Sequence, residues 1–497
     1  MAKLQSIFVC QQCAGTFPKW QGKCTECGAW NSLVEDVVEK ATSKSKATMK
    51  SHSLHISDRV GGYGEVLSFD QIDQGDLQIQ KRIHSGYHEL NRVLGGGFVP
   101  GSLLLFGGEP GIGKSTLLLQ SLGKMAEAGI SCLYVSGEES GPQVSARAKR
   151  LNIKNSDNLK FLATSDLAEV MEAVSKVKPL IVVADSVQTL SSSEIESAAG
   201  TVSQVRSVCQ KFMDLSKSKG VITLLVGHVT KEGTVAGPRL LEHMVDGVFY
   251  FELASASGYR MVRGQKNRFG ATHEVSVFEM SQQGLLEVQN PSARFLAERS
   301  TEMAGSAVVA HLAGSRPFLT EFQALTQKAF QPYPRRTVQG IDLNRISVLL
   351  AVAEKSLEIS FSDQDVYCKV ASGDRIEEPS ADLAVLMALI SSFEQRAIPA
   401  DLILIGEVGL GGELRSVPGI AQRLSEAKTV GIKRAIVPKY QATEAKEISG
   451  IEIIPSQTVR DAYRETWVRK DHRNQISNTT QKLTAQKGLE VDKDLGF

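Results

Sequence analysis

The chain has 497 residues. A single hydrophobic core does not extend over a chain of this length, so we expect about two or three domains. Its 56 Lys and Arg residues balance its 55 Asp and Glu residues, so net charge identifies no partner and a nucleic-acid surface would require local clustering of charge. No apolar run is long enough to span a bilayer, and the start, MAKLQSIFVCQQC, lacks the apolar core of a secretion signal. We therefore expect a cytoplasmic protein without a membrane partner.

The N-terminal segment, residues 1–35, carries two cysteine pairs, Cys10 with Cys13 and Cys24 with Cys27. Each pair has the CxxC spacing with which thiolate hairpins hold a tetrahedral zinc ion. A segment this short cannot bury a sufficient core, so a metal would stabilise it. Disulfides or a redox CxxC are the alternatives, but a cytosolic setting disfavours the first and the repeated pair disfavours the second. The pattern predicts a four-cysteine zinc finger.

The role of this finger stays open at the level of sequence. Its basic and aromatic residues are Lys19, Trp20, Lys23 and Trp30. They either bind nucleic acid or a protein partner, or the aromatic rings pack over the metal.

The middle of the chain has the pattern of an α/β domain. Residues 36–65 are polar and are expected to form a linker. From 66 to 290, short β-rich runs alternate with helical stretches, which predicts a parallel sheet. The clearest predicted strands are Leu103–Phe106, Cys132–Val135, Leu180–Ala184 and Val221–Val226.

A second α/β segment is predicted from 291 to 460. It has a helical pattern near 341–355 and strand patterns at Asp401–Glu407 and Arg434–Pro438. The last residues, 461–497, are polar and rich in Gln, Asn and Lys, which predicts a tail without a packed core.

A phosphate-binding loop lies in the first α/β segment, between the strand LLLF and the helical run TLLLQSLGKMAEA. The strand and helix are the context that this motif requires, which disfavours a chance glycine-rich turn. Lys114 would reach the β- and γ-phosphates of ATP, and Ser115 would bind Mg²⁺. The residues expected to hold the nucleotide are Gly108, Glu109, Pro110, Gly111, Ile112, Gly113, Lys114, Ser115 and Thr116.

Polar side chains follow the neighbouring predicted strands. Asp185 ends LIVVAD and would bind Mg²⁺ through water, unless it only caps the next turn. Glu138 is the first choice for polarising the attacking water and Glu139 the second; alternatively, both only begin a helix. His228 either senses the γ-phosphate and signals to residues 230–240, or is structural.

Together these residues resemble the RecA-type ATPase core, and three segments resemble bacterial RadA (Sms) more narrowly. The segments are residues 85–120, YVSGEES at 134–140 and KNRFG at 266–270, and the last is the most specific. The resemblance implies a DNA-dependent ATPase of homologous recombination and DNA repair. It also implies a hexameric ring that acts on single-stranded and branched DNA and drives branch migration with the RecA recombinase.

The KNRFG segment places two cations, Lys266 and Arg268, one residue apart. In a ring they would reach the γ-phosphate on a neighbouring subunit, as an arginine finger does. The same cations would otherwise contact DNA phosphates, or form a solvated basic turn.

Two segments after the Asp185 and His228 strands are expected to face DNA in a RecA-type ring. Ser191–Arg206 contains the cation Arg206, and Thr230–Arg239 contains Lys231 and Arg239. Small residues and cations suit contact with the DNA backbone. Ordinary mobile loops are the alternative.

The segment from 340 to 455 resembles the proteolytic domain of Lon. Ser380 stands at the position of the Lon nucleophile, but Ala421 stands where the family has its catalytic Lys. Because a serine without its base is a weak nucleophile, we expect a non-proteolytic Lon-like scaffold with a basic surface. An ATP-dependent protease and a nucleotide-switched DNA-binding assembly protein are the alternative functions. The basic residues considered for DNA contact are Arg316, Lys328, Arg335, Arg336 and Arg345.

Overall fold

A computed structural model describes residues 4–10, 16–26, 28, 30–39, 82–154, 156–228, 240–253, 258–331, 333–371 and 375–467. The chain divides into two units, Met1–Ala254 with Gly258–Gln289, and Asn290–Phe497 with Ser255–Ser257. No helix in these ranges combines the length and the apolar character that a membrane crossing needs.

The first unit begins with a small antiparallel sheet in the order β2-β1-β3. Its strands are β1 (Leu4–Cys10), β2 (Thr16–Phe17) and β3 (Leu33–Glu39). Cys10 and Cys24 are fully buried and cluster together with Leu33. Cys13 and Cys27 lie outside the described residues.

The two tryptophans of this segment face solvent. Trp20 is 57% exposed and Trp30 is 71% exposed. Most of the surface of both indoles is therefore in contact with solvent. The ammonium of Lys23 lies 5.4 Å from the centre of the Trp30 ring.

The rest of the first unit is a nine-stranded sheet in the order β12-β11-β10-β9-β4-β8-β7-β5-β6. Strands β9, β4, β8, β7, β5 and β6 run parallel, and β10, β11 and β12 continue the sheet as antiparallel neighbours. The four strands predicted from sequence are all present, with ends within two residues of those predicted. The strands are β4 (Leu103–Gly108), β5 (Cys132–Ser136), β6 (Leu159–Ala163), β7 (Ile181–Asp185), β8 (Ile222–His228), β9 (Gly247–Leu253), β10 (Arg260–Asn267), β11 (Val275–Ser281) and β12 (Gly284–Glu287).

Helices cover both faces of this sheet because strand side chains alternate between them. On β4, Leu104 and Phe106 pack in the core that contains Leu118, while Leu103 and Leu105 pack in the core on the other face. Because both faces of such parallel strands are covered, the strand sequences are apolar throughout. The helices are α1 (His88–Leu94), α2 (Lys114–Glu127), α3 (Gly141–Arg150), α4 (Leu167–Val177), α5 (Val202–Lys219) and α6 (Leu240–Met244).

The second unit has three sheets, in the orders β13-β14-β16-β15, β17-β20-β21 and β18-β19. Its strands are β13 (Ser306–Ala313), β14 (Arg316–Lys328), β15 (Arg336–Gln339), β16 (Gln364–Val370), β17 (Leu402–Leu404), β18 (Glu407–Val408), β19 (Leu414–Arg415), β20 (Arg434–Pro438) and β21 (Glu452–Ser456). Its helices are α7 (Pro291–Leu296), α8 (Leu343–Leu357), α9 (Asp382–Phe393), α10 (Ile420–Thr429), α11 (Ala442–Ala445) and α12 (459–467).

Two details of the second unit differ from the sequence prediction. The single strand predicted at Asp401–Glu407 is two strands, because the chain turns at Gly406 and joins different sheets. The tail predicted from 461 begins later, because 459–467 is helical and Trp467 is only 2% exposed in the core. Trp467, the last residue of this helix, is an apolar core residue in a segment that is otherwise polar.

A buried ion pair lies beside the serine that resembles the Lon nucleophile. Arg423 on α10 is fully buried, and its Nη1 and Nη2 donate to the Glu378 carboxylate at 2.6 and 2.7 Å. Arg423 Nη1 also donates to the Ala310 carbonyl at 2.6 Å, and Ser380 Oγ lies 3.5 Å from the same oxygen. Ser380 is 2% exposed, so its hydroxyl is enclosed and not presented to a peptide.

Three of the five basic residues considered for DNA contact are engaged within this unit. Arg316 is 5% exposed. Arg345 pairs with Asp382 at 2.5 Å, and Arg336 donates to the Phe361 carbonyl at 2.8 Å. Arg316 is therefore not a surface side chain, whereas Arg336 and Arg345 are partly exposed and have partners within the unit that the sequence alone does not reveal.

Replacing Arg423 with Met should lower the unfolding free energy of the second unit by about 1–3 kcal/mol, because the partly buried Glu378 carboxylate and the Ala310 carbonyl lose their donor. Urea unfolding followed by tryptophan fluorescence measures this. Arg415→Met is the matched control, since Arg415 is 58% exposed in its pair with Glu413, and it should leave the transition nearly unchanged. Equal effects of the two variants would contradict the assignment.

Candidate nucleotide-hydrolysis site

The phosphate loop joins the carboxyl end of β4 to the first residue of α2, where parallel strands of such sheets bind ligands. Lys114 is 4% exposed, and its Nζ donates to the carbonyls of Gly108 at 2.7 Å and Glu109 at 2.9 Å. Burial lowers the pKa of Lys114, and the charges of Asp185 and Glu138 oppose that shift. The loop thus holds its lysine beside the N-terminus of α2, where free backbone N–H groups and the helix dipole favour binding of anions.

Asp185 ends β7, at the same edge of the sheet. It is 6% exposed, and its Oδ2 accepts a hydrogen bond of 2.5 Å from the Tyr134 hydroxyl on β5. Burial, followed by the Asp185 charge, raises the pKa of Tyr134 well above its usual value, so this hydroxyl keeps its proton and fixes the carboxylate. Ser115 lines the same cavity, and its hydroxyl and the Asp185 carboxylate are the hard oxygen donors that Mg²⁺ prefers.

The adjacent acids Glu138 and Glu139 point to different partners. Glu138 Oε1 accepts from Ser186 Oγ at 2.5 Å and from His228 Nε2 at 3.0 Å. Glu139 forms an ion pair with Arg147 on α3. Glu138 therefore belongs to the cluster around the strand ends, and Glu139 belongs to the helix that follows.

Glu138 is held as a carboxylate. Burial raises its pKa, but the hydrogen bonds from Ser186 and His228, with the charges of His228 and Lys114, outweigh burial and lower the pKa overall. An ionised carboxylate in a cavity with a phosphate loop is suited to polarise a water molecule.

His228 is the last residue of β8, and its ring contacts Glu138. The Nε2 atom must carry the proton, because an ionised carboxylate only accepts hydrogen bonds. The residues that follow, 229–239, lie outside the described residues, and so do Lys231 and Arg239. Arg206 is exposed, but it lies on α5, which begins at Val202, and not on a loop as predicted.

Lys266 and Arg268 lie at the other edge of the sheet. In the strand register, Gly108 is level with Phe251 on β9, whereas Lys266 is level with Val248 and Arg268 bonds the Asp246 carbonyl. Leu103, at the start of β4, bonds Asp246, so the length of β4, five residue steps or about 16 Å, separates Arg268 from its own phosphate loop. Lys266 is level with Leu105, three residue steps or about 10 Å from Gly108.

Asp246 anchors this second edge. Its carboxylate is buried and accepts from the Leu103 amide at 3.0 Å, from Lys217 Nζ at 2.7 Å and from Arg268 Nη1 at 3.2 Å. Lys266 Nζ donates to the Glu242 carbonyl at 2.7 Å. The Arg268 side chain remains 59% exposed, so it is oriented without being enclosed.

One cavity of about 740 Å³ joins the nucleotide-site residues and takes in the turn between β11 and β12. Its wall includes three buried polar atoms without a hydrogen-bond partner among the described residues, namely Glu139 Oε2, Arg147 Nη1 and His228 Nδ1. Such atoms favour a polar ligand. The lining residues are Pro110, Gly111, Gly113, Lys114, Ser115, Thr116, Ser136, Glu138, Glu139, Arg147, Arg150, Asp185, His228, Met280, Ser281, Gln282 and Gly284.

Three family models match the chain in order. They are a rubredoxin metal binding domain over residues 8–35, an AAA domain over 75–234, and the Lon protease (S16) C-terminal proteolytic domain over 346–465. The DNA repair protein RadA of Bacillus subtilis (strain 168) is 46% identical over 465 residues, 93% of this chain and 99% of that protein. RadA of Pseudomonas aeruginosa is 44% identical, covering 91% and 97%, and RadA of Aquifex aeolicus is 44% identical, covering 93% and 99%.

The chain belongs to the RadA family of DNA repair proteins. This confirms the resemblance predicted from the sequence, and with it the fold class of an N-terminal metal-binding ribbon, a P-loop ATPase core and a Lon-like α/β domain. The AAA domain match covers residues 75–234, which include the phosphate loop, Glu138, Asp185 and His228 of this cavity.

Several residues that orient the candidate site residues could not be identified from the sequence. Tyr134 and Ser186 orient Asp185 and Glu138, and Asp246 orients Arg268. Tyr134 is noticeable in the sequence as a polar ring inside an otherwise apolar strand. The role of Asp246 has no sequence signature, because its partners are far from it in the chain.

Replacing Glu138 with Gln should lower the kcat of ATP hydrolysis by about 10²–10⁴-fold while nucleotide binding remains, because the water loses its base. Glu139→Gln removes the neighbouring carboxylate and should change kcat much less. Steady-state hydrolysis and equilibrium ADP binding measure the two effects. The reverse order of the two variants would assign the base to Glu139.

The acid limb of the kcat profile should move to higher pH in His228→Ala. The reason is that Glu138 loses a hydrogen bond and a nearby charge that lower its pKa, so its base form is lost earlier as pH falls. His228→Gln keeps a donor and should show a smaller shift. An acid limb at the same pH in all three proteins would show that His228 does not act through Glu138.

Proposed function

We propose that this chain is a DNA-dependent ATPase of homologous recombination and DNA repair that works as a hexameric ring. In this proposal it moves on single-stranded and branched DNA and drives branch migration of strand exchange with the RecA recombinase. Family membership supports the repair role, and the site supports ATP hydrolysis.

The position of Lys266 and Arg268 is the observation that carries the ring. At about 3.3 Å a residue, Lys266 lies about 10 Å and Arg268 about 16 Å along β4 from the level of Gly108, and the side chains of both bond the segment 242–246 and not their own phosphate loop. A neighbour stacked head to tail would bring this edge to the next phosphate loop, and repeated contacts of that kind close into a ring. Arg268, exposed and oriented by Asp246, then serves as the arginine finger, with Lys266 beside it.

Each residue of the nucleotide site has one role in this proposal. Lys114 and the loop amides bind the phosphates, and Glu138 polarises the attacking water. Ser115 and Asp185 would hold Mg²⁺, which supplies positive charge to the phosphates when it is bound. His228 reports on the state of Glu138 to the segment 229–239.

DNA contact is assigned to cations near the strand ends. Lys231 and Arg239 follow His228 in the chain, and in this proposal His228 passes a change at Glu138 on to their segment. Arg206 is exposed on α5 and adds a cation on a helix. Contacts of this kind bind the phosphate backbone without reading sequence.

The N-terminal ribbon is proposed to bind zinc through Cys10, Cys13, Cys24 and Cys27. Cys10 and Cys24 are buried together on adjacent parts of the ribbon, as ligands of one closed site would be. Thiolate ligands and a core of this size suit a structural ion.

A subunit-mixing experiment tests the ring proposal. Lys114→Ala and Lys266→Ala should each abolish most ATP turnover in the presence of single-stranded DNA. In a random one-to-one mixture, about a quarter of the interfaces pair an intact Lys114 with an intact Lys266, so about that fraction of turnover should return. Lys114→Ala mixed with Glu138→Gln is the control, and it should recover nothing because both defects affect one chain's half of the site.

Three results would contradict the proposal or part of it. Absence of recovery in the first mixture, with subunit exchange shown by differently labelled chains, would remove the trans role of Lys266. Turnover by the unmodified protein that is unaffected by single-stranded DNA would favour a nucleotide-switched assembly protein. Degradation of casein would favour a protease, which the enclosed Ser380 and the missing lysine at 421 disfavour.

A further inference from the structure

We propose that the N-terminal ribbon holds an unpaired base of single-stranded DNA between Trp20 and Trp30. The space bounded by these two indoles and Gly22 is called the tryptophan cleft below. This inference rests on the proposed action on single-stranded DNA and deepens it. It gives the ribbon a contact with the bases, whereas the cations assigned above bind only the phosphate backbone.

Two indoles approach the same glycine in the ribbon. A Cβ atom at Gly22 would have Trp20 Cη2 at 3.9 Å and Trp30 Cζ3 at 4.0 Å, so these two ring atoms are no more than about 8 Å apart. Stacked bases follow one another at about 3.4 Å, so a base held between two rings requires about 7 Å. The tryptophan cleft therefore has the width of one planar base.

Backbone pairing holds Trp30 beside Gly22. Lys23 and Trp30 form an antiparallel bridge, and the Asn31 amide donates to the Gly22 carbonyl at 2.7 Å. The hairpin between these residues contains Cys24, which is fully buried in the small core of the ribbon. The second wall of the tryptophan cleft is therefore in place before a ligand arrives, which lowers the cost of binding.

The ribbon leaves most of both rings open to a ligand. Trp20 is 57% exposed and Trp30 is 71% exposed. An indole offers a large apolar face, and two exposed indoles at one glycine form a concentrated apolar surface on a small module. Exposed apolar surfaces of this kind mark sites of interaction.

Cations accompany the two rings. Lys19 directly precedes Trp20, and the exposed Lys23 places its Nζ 5.4 Å from the centre of the Trp30 ring. Every base of a strand is joined to a phosphate on each side, so cations beside the rings can pair with the phosphates of the held nucleotide. Aromatic faces with neighbouring cations are typical of proteins that bind single strands.

The size of the tryptophan cleft favours a base over a protein partner. A standard protein interface takes about 800 Å² of surface from each partner. The features described above come from one short hairpin and the residues before it, between 19 and 31. Two flat rings with cations beside them match a planar base and its phosphates.

The tryptophan cleft should accept unpaired bases without reading their identity. Every base has a flat face, so stacking tolerates any sequence. A base inside a duplex is covered by its neighbours, and freeing it costs free energy. The tryptophan cleft should therefore contribute to the binding of single strands and not to the binding of intact duplex.

Equilibrium binding to the full chain of a thymidine oligonucleotide and of an abasic oligonucleotide of the same length tests this inference. Trp20→Ala and Trp30→Ala should each weaken binding of the thymidine oligonucleotide about 5-fold or more, because a stacked ring is lost. Both should bind the abasic oligonucleotide as the unmodified chain does, because the phosphate contacts remain. Trp20→Phe keeps a ring and should retain most of the affinity. Tyr440→Ala, which removes a 79% exposed ring next to Lys439 in the second unit, is the matched control and should leave both affinities unchanged.

A second measurement uses the fluorescence of the tryptophans, of which the chain has three. Trp467 is buried in the second unit, so Trp467→Phe leaves Trp20 and Trp30 as the only indoles. Stacking against a base quenches indole emission. The thymidine oligonucleotide should therefore quench the emission of Trp467→Phe, and the abasic oligonucleotide should not.

The outcomes separate this inference from the proposed function. Unchanged affinity for the thymidine oligonucleotide in both alanine variants, or absence of quenching in Trp467→Phe, overturns the base contact and favours a protein segment as the occupant. An equal loss of affinity for the two oligonucleotides also overturns it, because misfolding or loss of phosphate contacts affects both. Failure of the unmodified chain to bind either oligonucleotide contradicts the proposed action on single-stranded DNA itself.

Discussion

The direction of one central strand sets the arrangement of the whole ATPase domain. β4 ends in the phosphate loop, and its parallel neighbours therefore bring Asp185, His228 and the turn to Glu138 to the same edge. The start of β4 is tied by its Leu103 amide to Asp246, which also holds Arg268. The carboxyl ends of these strands therefore carry the proposed nucleotide site, and the opposite ends carry two cations that bond other residues and not that site.

Three carboxylates of the described residues are held by donors that lie far from them in the chain. Tyr134 holds Asp185, which is buried, Ser186 and His228 hold Glu138, and Arg423 holds the partly buried Glu378. A charge that is removed from water is costly unless it is paired, so each donor favours one orientation of its carboxylate. In the ATPase domain this preorganises the acids for phosphate chemistry. In the Lon-like unit, the Arg423–Glu378 pair lies beside the enclosed Ser380 and stabilises the fold.

The sequence allowed prediction of features that depend on neighbouring residues. The phosphate loop was recognisable because its strand and helix flank it, and the four strands were recognisable because each is apolar on both faces. The different partners of Glu138 and Glu139 could not be predicted, because Ser186 and His228 lie 48 and 90 residues from Glu138 in the chain. Arg206 was assigned to a loop because small residues precede it, whereas α5 begins before it. Trp467 was missed because one apolar residue in a polar segment carries no periodicity.

The central claim is that the catalytic unit is an interface between two chains. A cryo-electron microscopy structure with a non-hydrolysable ATP analogue, Mg²⁺ and single-stranded DNA tests this claim directly. The account predicts that Arg268 or Lys266 of one subunit lies within hydrogen-bond distance, about 3 Å, of the γ-phosphate held by Lys114 of the next subunit. A nucleotide contacted only by residues of its own chain, with Lys266 and Arg268 in solvent or on DNA, would contradict it.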